Sequence, residues 1–212
     1  MVLNEHRDKA DKYITPVALK LPDTDPNTLT WLSLLFAFLG GLYVFLSGEH
    51  KLPVPGAFWF LVLSFFFIFF ASYFDALDGK VAKLHKKTTK RGDFLDHAVD
   101  RYADLFILLG IALSSYCNVW IGLFAIIGVL MTSYMGTQAQ ALGIGRNYGG
   151  ILGRAERQLI LTFAPLVQFI IMMLGVTRIW HFTIFEYVML WFAIAGNATA
   201  LHRGVAAWKE LE

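Results

Sequence analysis

The sequence predicts an all-α polytopic membrane protein with six transmembrane helices and an N-terminal amphipathic juxtamembrane helix. Three observations carry that prediction. Of 212 residues, 57% are hydrophobic and only 16% charged, a balance far more apolar than that of a soluble domain of this size. Mean hydropathy is +0.55. Six apolar runs, each near the ~20 residues that span a hydrocarbon core, are separated by polar connections. The chain therefore reads as a short juxtamembrane segment, residues 1–25, followed by one membrane domain, residues 26–212.

Residues 1–20 are polar and lack the apolar core of a cleavable signal. Ala10, Tyr13, Ile14 and Val17 recur at i, i+3, i+4 and i+7, the pattern of a helix lying on the membrane surface, with Pro16 expected to kink or end it. The spans are expected at 29–47, 57–74, 102–115, 120–138, 159–176 and 182–200. The third is short, and residues 96–102 can extend its helix into the interface. Gly40, Gly41, Ala71, Ser72 and Gly110 are small enough to let neighbouring helices approach closely. Of the 18 Lys and Arg, only Lys51 and Arg178 fall outside the four segments that a cytosolic N-terminus places in the cytosol. The positive-inside rule thus puts both termini in the cytosol of a cell-membrane protein.

Four aspartates stand at the ends of two of these spans. Asp75 and Asp78 close the second, and Asp96 and Asp100 precede the third, with a basic loop between. At i, i+3 and i, i+4 each pair shares one helix face, ~5–6 Å apart, and an antiparallel hairpin brings all four together. One such pair alone is most simply a solvated helix end. Four carboxylates beside hydrocarbon need compensation, and all-oxygen ligation selects a hard cation, Mg²⁺, Mn²⁺ or Ca²⁺, over zinc. Such a cation suits phosphoryl transfer, with a carboxylate positioned to take a proton. Asp104 continues the stripe and is a candidate to orient the cluster.

The string from Asp75 to Asp100 reads D-A-L-D-G-K-V-A-K, eight residues, then G-D-F-L-D-H-A-V-D. It resembles the signature of the CDP-alcohol phosphatidyltransferases, D-x-x-D-G-x-x-A-R followed by G-x-x-x-D-x-x-x-D. Lys83 stands where the pattern has Arg, and every other fixed position matches. The resemblance implies an enzyme that transfers a phosphatidyl or archaetidyl group from a CDP-linked lipid to an alcohol at a cytosolic site, releasing CMP. It implies metal ligation by Asp75, Asp78, Asp96 and Asp100, with Asp100 also as general base, and homodimers are common in the family. Nucleotide contacts are expected from Asp78, Gly79, Ala82, Lys83 and Gly92. Gly79 has no side chain to block close approach, and Lys83 offers charge without the fork of Arg. The segment D-P-N-T-L-T from Asp25 to Thr30 is similar to the family's P-N-x-L-T, so Asn27 is either a nucleotide contact or a helix N-cap.

Arg154 and Arg157, at i, i+3 on a helix start, suit an anion such as a second phosphate. The Arg-Ala-Glu-Arg element resembles that of phosphatidylinositol-phosphate synthases and their archaeal counterparts, which implies inositol phosphate as acceptor. The alternative is a charged flank holding an Arg-Glu pair. Those synthases usually carry a basic pair after the Ser-Tyr of the fourth span, whereas Ser133-Tyr134 is followed by M-G-T-Q-A-Q. Glycerol phosphate therefore competes as acceptor. From another class, a cation transporter also uses membrane carboxylates, but more often near the midplane within broken helices. The 19 Phe residues read as lipid-facing bulk and packing rather than a nucleic-acid surface, and the single Cys117 excludes an internal disulfide.

Overall fold

The computed structural model describes residues 4–48, 56–145 and 149–211; Lys51 and Arg146, both used in the charge count, lie outside them. The described residues form α1 (Asn4–Leu19), α2 (Pro26–Gly48), α3 (Phe60–Leu84), α4 (Lys90–Leu113), α5 (Val119–Ala141), α6 (Arg154–Met173) and α7 (Ile184–Glu210), with a single 3₁₀ turn at Ala57–Trp59 ahead of α3. Among the described residues, five helical segments are long and apolar enough to cross a membrane. The sixth expected span is α4, 24 residues long, whose first half carries Asp93, Asp96, Asp100, Arg101 and Asp104.

Most helices run past their apolar stretches. The second span was expected to stop at residue 74, yet α3 continues to Leu84, so Asp75 and Asp78 stand on regular helix. Likewise α4 begins at Lys90, ahead of the apolar stretch from 102. Hydropathy marks what lies in hydrocarbon, whereas the backbone ladder continues into polar sequence. Pro16 neither ends nor breaks α1, which runs through it to Leu19. Pro16 lacks the N–H that would donate to the carbonyl of Lys12, and both residues are exposed.

Helix α2 packs between α3 and α4, α6 lies against α3, and α5 pairs with α7. Small residues make these contacts possible. A Cβ on Gly110 would fall 2.1 Å from the carbonyl oxygen of Gly41, and one on Gly41 would meet the Phe106 carbonyl at the same 2.1 Å. Gly128 and Gly196 bring α5 and α7 together in the same way, and Thr132 Oγ1 donates to the Gly196 carbonyl at 2.8 Å. Gly110→Ala is expected to cost about 1–3 kcal/mol, because two backbones rather than a flexible side chain must move. A lowered midpoint of thermal unfolding in detergent, against no lowering for Gly204→Ala, whose Cβ would meet only Met135 Sδ at 3.7 Å, checks this.

At the end of the bundle away from the aspartates, Thr183 and Glu186 form a capping box that starts α7. Glu186 Oε1 also accepts from Asn118 N at 3.1 Å, and Thr183 Oγ1 donates to the Tyr116 carbonyl at 2.5 Å. Those bonds tie α7 to the α4–α5 connection.

Candidate metal centre and active site

Three helix ends converge here. A short turn joins α3 to α4, with Lys86 in the left-handed region at φ 54°. Thr89 caps α4 by accepting from Gly92 N at 3.0 Å. Lys87 Nζ donates to the carbonyls of Pro22 at 2.6 Å and Thr24 at 3.0 Å, and so clamps this hairpin to the turn before α2. Helix α2 is capped by Asp25, whose carboxylate accepts from Asn27 N at 3.0 Å, with Pro26 in the first helical position. The cap is therefore Asp25 and not Asn27.

Among the described residues, Asp75, Asp96 and Asp100 offer carboxylate oxygens that all lie within 4.8 Å of one another. Asp75 and Asp96 are about one-third exposed, 31% and 34%, and Asp100 is 9% exposed. Asp78 stands outside this trio. It is buried, and its Oδ2 accepts from Thr30 Oγ1 on α2 at 2.6 Å. On α4, ahead of the apolar stretch, burial pushes Asp96 and Asp100 above the ordinary carboxylate range; the Asp75 carboxylate adds to the rise and Arg154 opposes it. Carboxylates crowded and desolvated in this way favour a bound cation over mutual repulsion. Three hard oxygen donors on rigid helices fit Mg²⁺ or Mn²⁺.

The residues expected to contact a nucleotide lie on the same helix ends, Asn27 on α2, Gly79, Ala82 and Lys83 on α3, and Gly92 on α4. Gly79 is exposed, and a Cβ there would meet nothing within 4 Å, so space lies open above the backbone beside Asp78. Lys83 is exposed and Ala82 half-buried. A Cβ on Gly92 would stand 3.4 Å from Asn27 Oδ1, which places Asn27 next to the start of α4.

The two arginines of α6 divide between different carboxylates. Arg154 Nη2 donates to both Asp75 oxygens at 2.9 Å, and also to Asp100. Arg157 is buried and donates to Asp104 Oδ2 at 2.6 Å. Asp104 was a candidate to orient the metal cluster; its hydrogen bond goes to an arginine instead. A cavity of about 20 Å³, lined in part by Ser33, Asp75, Asp100, Asp104, Arg154 and Gln158, lies among these groups.

Three residues that sequence reasoning did not single out stand at or near the site. Thr30 holds Asp78, and Arg101 reaches Asp100, Asp104 and Ser133. Arg203 donates through Nε to the Gly149 carbonyl at 2.9 Å and through Nη1 to the Thr132 carbonyl at 2.8 Å. Thr30 sits in the P-N-T-L-T segment and Arg101 directly follows Asp100. The signals were adjacent to recognised motifs, but both arginines were read only as flanking charge.

A sequence profile described as CDP-alcohol phosphatidyltransferase matches residues 24–199. The archaetidylinositol phosphate synthase of Methanothermobacter thermautotrophicus is 29% identical over 213 residues, covering 100% of this chain and 96% of its own. The Pyrococcus horikoshii protein of the same name is 32% identical over 141 residues, 66% of this chain and 69% of its own. The phosphatidylinositol phosphate synthase of Cutibacterium acnes is 28% identical over 214 residues, 95% of each chain. Among solved structures, the phosphatidylinositol phosphate synthase of Mycobacterium tuberculosis with CDP-DAG bound superposes with a TM-score of 0.72 at 23% identity, covering 93% of this chain and 94% of that one. A crystal structure of the same enzyme with manganese and citrate gives a TM-score of 0.72 at 23% identity, covering 92% and 88%. These superpositions show a shared fold.

Proposed function

Because the chain belongs to the CDP-alcohol phosphatidyltransferase family and is a membrane enzyme of that class, we propose that it moves a phosphatidyl or archaetidyl group from a CDP-linked lipid to a phosphorylated polyol, inositol phosphate, releasing CMP. The observation that carries the acceptor reading is the meeting of two kinds of charge. Three aspartates within 4.8 Å of one another stand beside arginines 101, 154 and 157, which hydrogen-bond or ion-pair to Asp75, Asp100 and Asp104. Relatives named for inositol phosphate synthesis, matched over nearly their whole length, support the same reading.

In this proposal Asp75, Asp78, Asp96 and Asp100 hold a divalent cation, Mg²⁺ or Mn²⁺. When bound, it would neutralise charge on the pyrophosphate and on the departing CMP. Thr30 fixes the Asp78 carboxylate by its 2.6 Å hydrogen bond. Open space at Gly79 lets the nucleotide lie against the backbone, with Asn27, Ala82 and Gly92 beside it and Lys83 supplying charge at the rim. Asp100, a buried carboxylate of the trio, takes the proton of the attacking hydroxyl. Arg154 and Arg157 serve the acceptor's phosphate. The aspartate end of the bundle, with both termini, faces the cytosol.

Family membership sets the transporter reading aside. Glycerol phosphate stays as second acceptor because Thr137, Gln138 and Gln140, all exposed, stand where a basic pair is usual after Ser-Tyr. The test is CMP release by the purified protein in detergent, with CDP-diacylglycerol or CDP-archaeol, Mg²⁺ or Mn²⁺, and inositol phosphate, glycerol phosphate, inositol and serine compared. Release dependent on inositol phosphate is the expected result. Dependence on glycerol phosphate moves the acceptor, and dependence on an alcohol without phosphate overturns the phosphorylated-polyol reading.

A further inference from the structure

Helices α6 and α7 are joined by residues 174–183, at the end of the bundle away from the aspartates, and this connection is firmly held. Gly175, at φ 78°, ends α6, and Val176 N donates back to the Ile171 carbonyl at 3.1 Å. Ile179 and Phe182 exchange both backbone hydrogen bonds, at 2.9 and 3.2 Å, which makes a two-residue hairpin of Trp180 and His181. Beneath it the fully buried Gln168 donates to the Thr177 carbonyl at 3.0 Å and accepts from Ile184 N at 2.8 Å. Tyr187 Oη donates to the Ile179 carbonyl at 3.1 Å, and its ring stands edge-on to that of Phe182.

This framework holds up a tryptophan that packs on almost nothing. Trp180 is 91% exposed and sits at φ 56°, in the left-handed region. The first central position of a two-residue hairpin usually takes Gly or Asn. A bulky residue there carries strain, which persists only where the surroundings impose it and points to a use. Leu174, Val176 and Ile179 are exposed on the same connection, together with Arg178 and His181. The patch is thus apolar at its tip and carries a cation at its flank.

What meets the patch follows from where it stands. Helix α6 has 20 residues, a length of about 30 Å, which matches the thickness of a hydrocarbon core. The hairpin therefore begins where the core ends. Two further exposed tryptophans mark the same end: Trp59 ahead of α3, its ring 4.8 Å from that of Phe169 on α6, and Trp120 at the start of α5. Trp31 and Trp208 stand near the aspartate end, which leaves only Trp191 in mid-helix. Tryptophan collects at membrane–water boundaries because its ring is apolar and its N–H is not. We propose that the 174–183 hairpin is a lipid-docking surface: Trp180 enters the polar boundary of the leaflet opposite the aspartates, and Arg178 pairs with lipid phosphate there. The surface anchors the far end of α6 and does not depend on which alcohol the enzyme uses.

The test uses the full chain in nanodiscs of phosphatidylcholine and phosphatidylglycerol and reads tryptophan emission from the parent protein and from Trp180→Phe. Their difference is the signal of Trp180. Lipids brominated high on the acyl chain are expected to quench that signal, and acrylamide in the buffer is expected to leave it unquenched. Arg178→Gln should weaken quenching by the brominated lipid and open Trp180 to acrylamide, most clearly in discs rich in phosphatidylglycerol. Unchanged quenching in Arg178→Gln overturns the phosphate contact. A Trp180 signal open to acrylamide and blind to brominated lipid puts the hairpin in water and overturns the whole proposal. Protection from both quenchers means that protein covers the patch, a second copy or another partner, and overturns it as well. If Trp180→Phe lacks the parent's thermal transition, Trp180→Gly, whose backbone takes φ 56° without strain, supplies the difference spectrum. Parent protein that releases no CMP with any acceptor sinks the function proposed above and leaves this result standing.

Discussion

Asp100→Asn is expected to lower kcat by about 10²–10⁴-fold, the range that a positioned general base contributes. The asparagine keeps the shape of the side chain and its place on α4, so the protein should fold. Its amide cannot take the acceptor's proton, and its single oxygen no longer offers a charged ligand to the cation or to Arg154, which donates to Asp100 in the parent protein. Asp100 is suited to the task by its place, a carboxylate oxygen within 4.8 Å of those of Asp75 and Asp96 on a rigid helix. Single-turnover CMP release with preloaded CDP-lipid isolates the chemical step. Parent-like release by a folded Asp100→Asn protein would falsify the assignment of the base.

Removing the cation, or a ligand that holds it, should be as damaging. Chelation by EDTA is expected to abolish CMP release, and Mg²⁺ or Mn²⁺ in excess to restore it. Asp75→Asn should weaken Mn²⁺ binding, read directly by electron paramagnetic resonance, and slow turnover by about 10³-fold, since charge stabilisation by a metal supplies several kcal/mol. Asp75 is the informative position because both its oxygens also accept from Arg154 at 2.9 Å. If the carboxylate served only as the counter-ion of that arginine, Asp75→Asn would leave Mn²⁺ affinity unchanged and raise only the acceptor KM. Turnover that persists in EDTA, with no metal retained by elemental analysis, removes the cation from the mechanism.

The membrane helices and the aspartate pattern were legible in the sequence because both are written in local order. A run of apolar residues reports hydrocarbon, and spacings of three and four report one helical face. The polar continuation of α3 to Leu84 and the start of α4 at Lys90 escaped hydropathy, since neither is apolar. Pairings across helices were the larger gap. Thr30 meets Asp78 over 48 residues of sequence, and Arg101 meets Ser133 over 32. These contacts depend on the rotation of each helix about its axis, which close approaches such as that of Gly41 and Gly110 set. The same rotation sends Arg157 to Asp104 and Arg154 to Asp75 and Asp100, although the two arginines are neighbours on one face of α6.

Helices α5 and α7 are locked to each other by Gly128, Gly196 and the Thr132 hydroxyl. Ser133 of α5 holds Arg101 of α4, while Arg203 of α7 reaches the carbonyls of Thr132 and Gly149 and so adds to the α5–α7 lock. The aspartates belong wholly to α3 and α4. A slight slide of the α5–α7 pair would therefore reshape the ground around Arg101 and leave the carboxylate spacing untouched. In such a layout the metal-holding carboxylates are inherited on one hairpin, so substitutions on α5 and α7 can accumulate without rebuilding that catalyst.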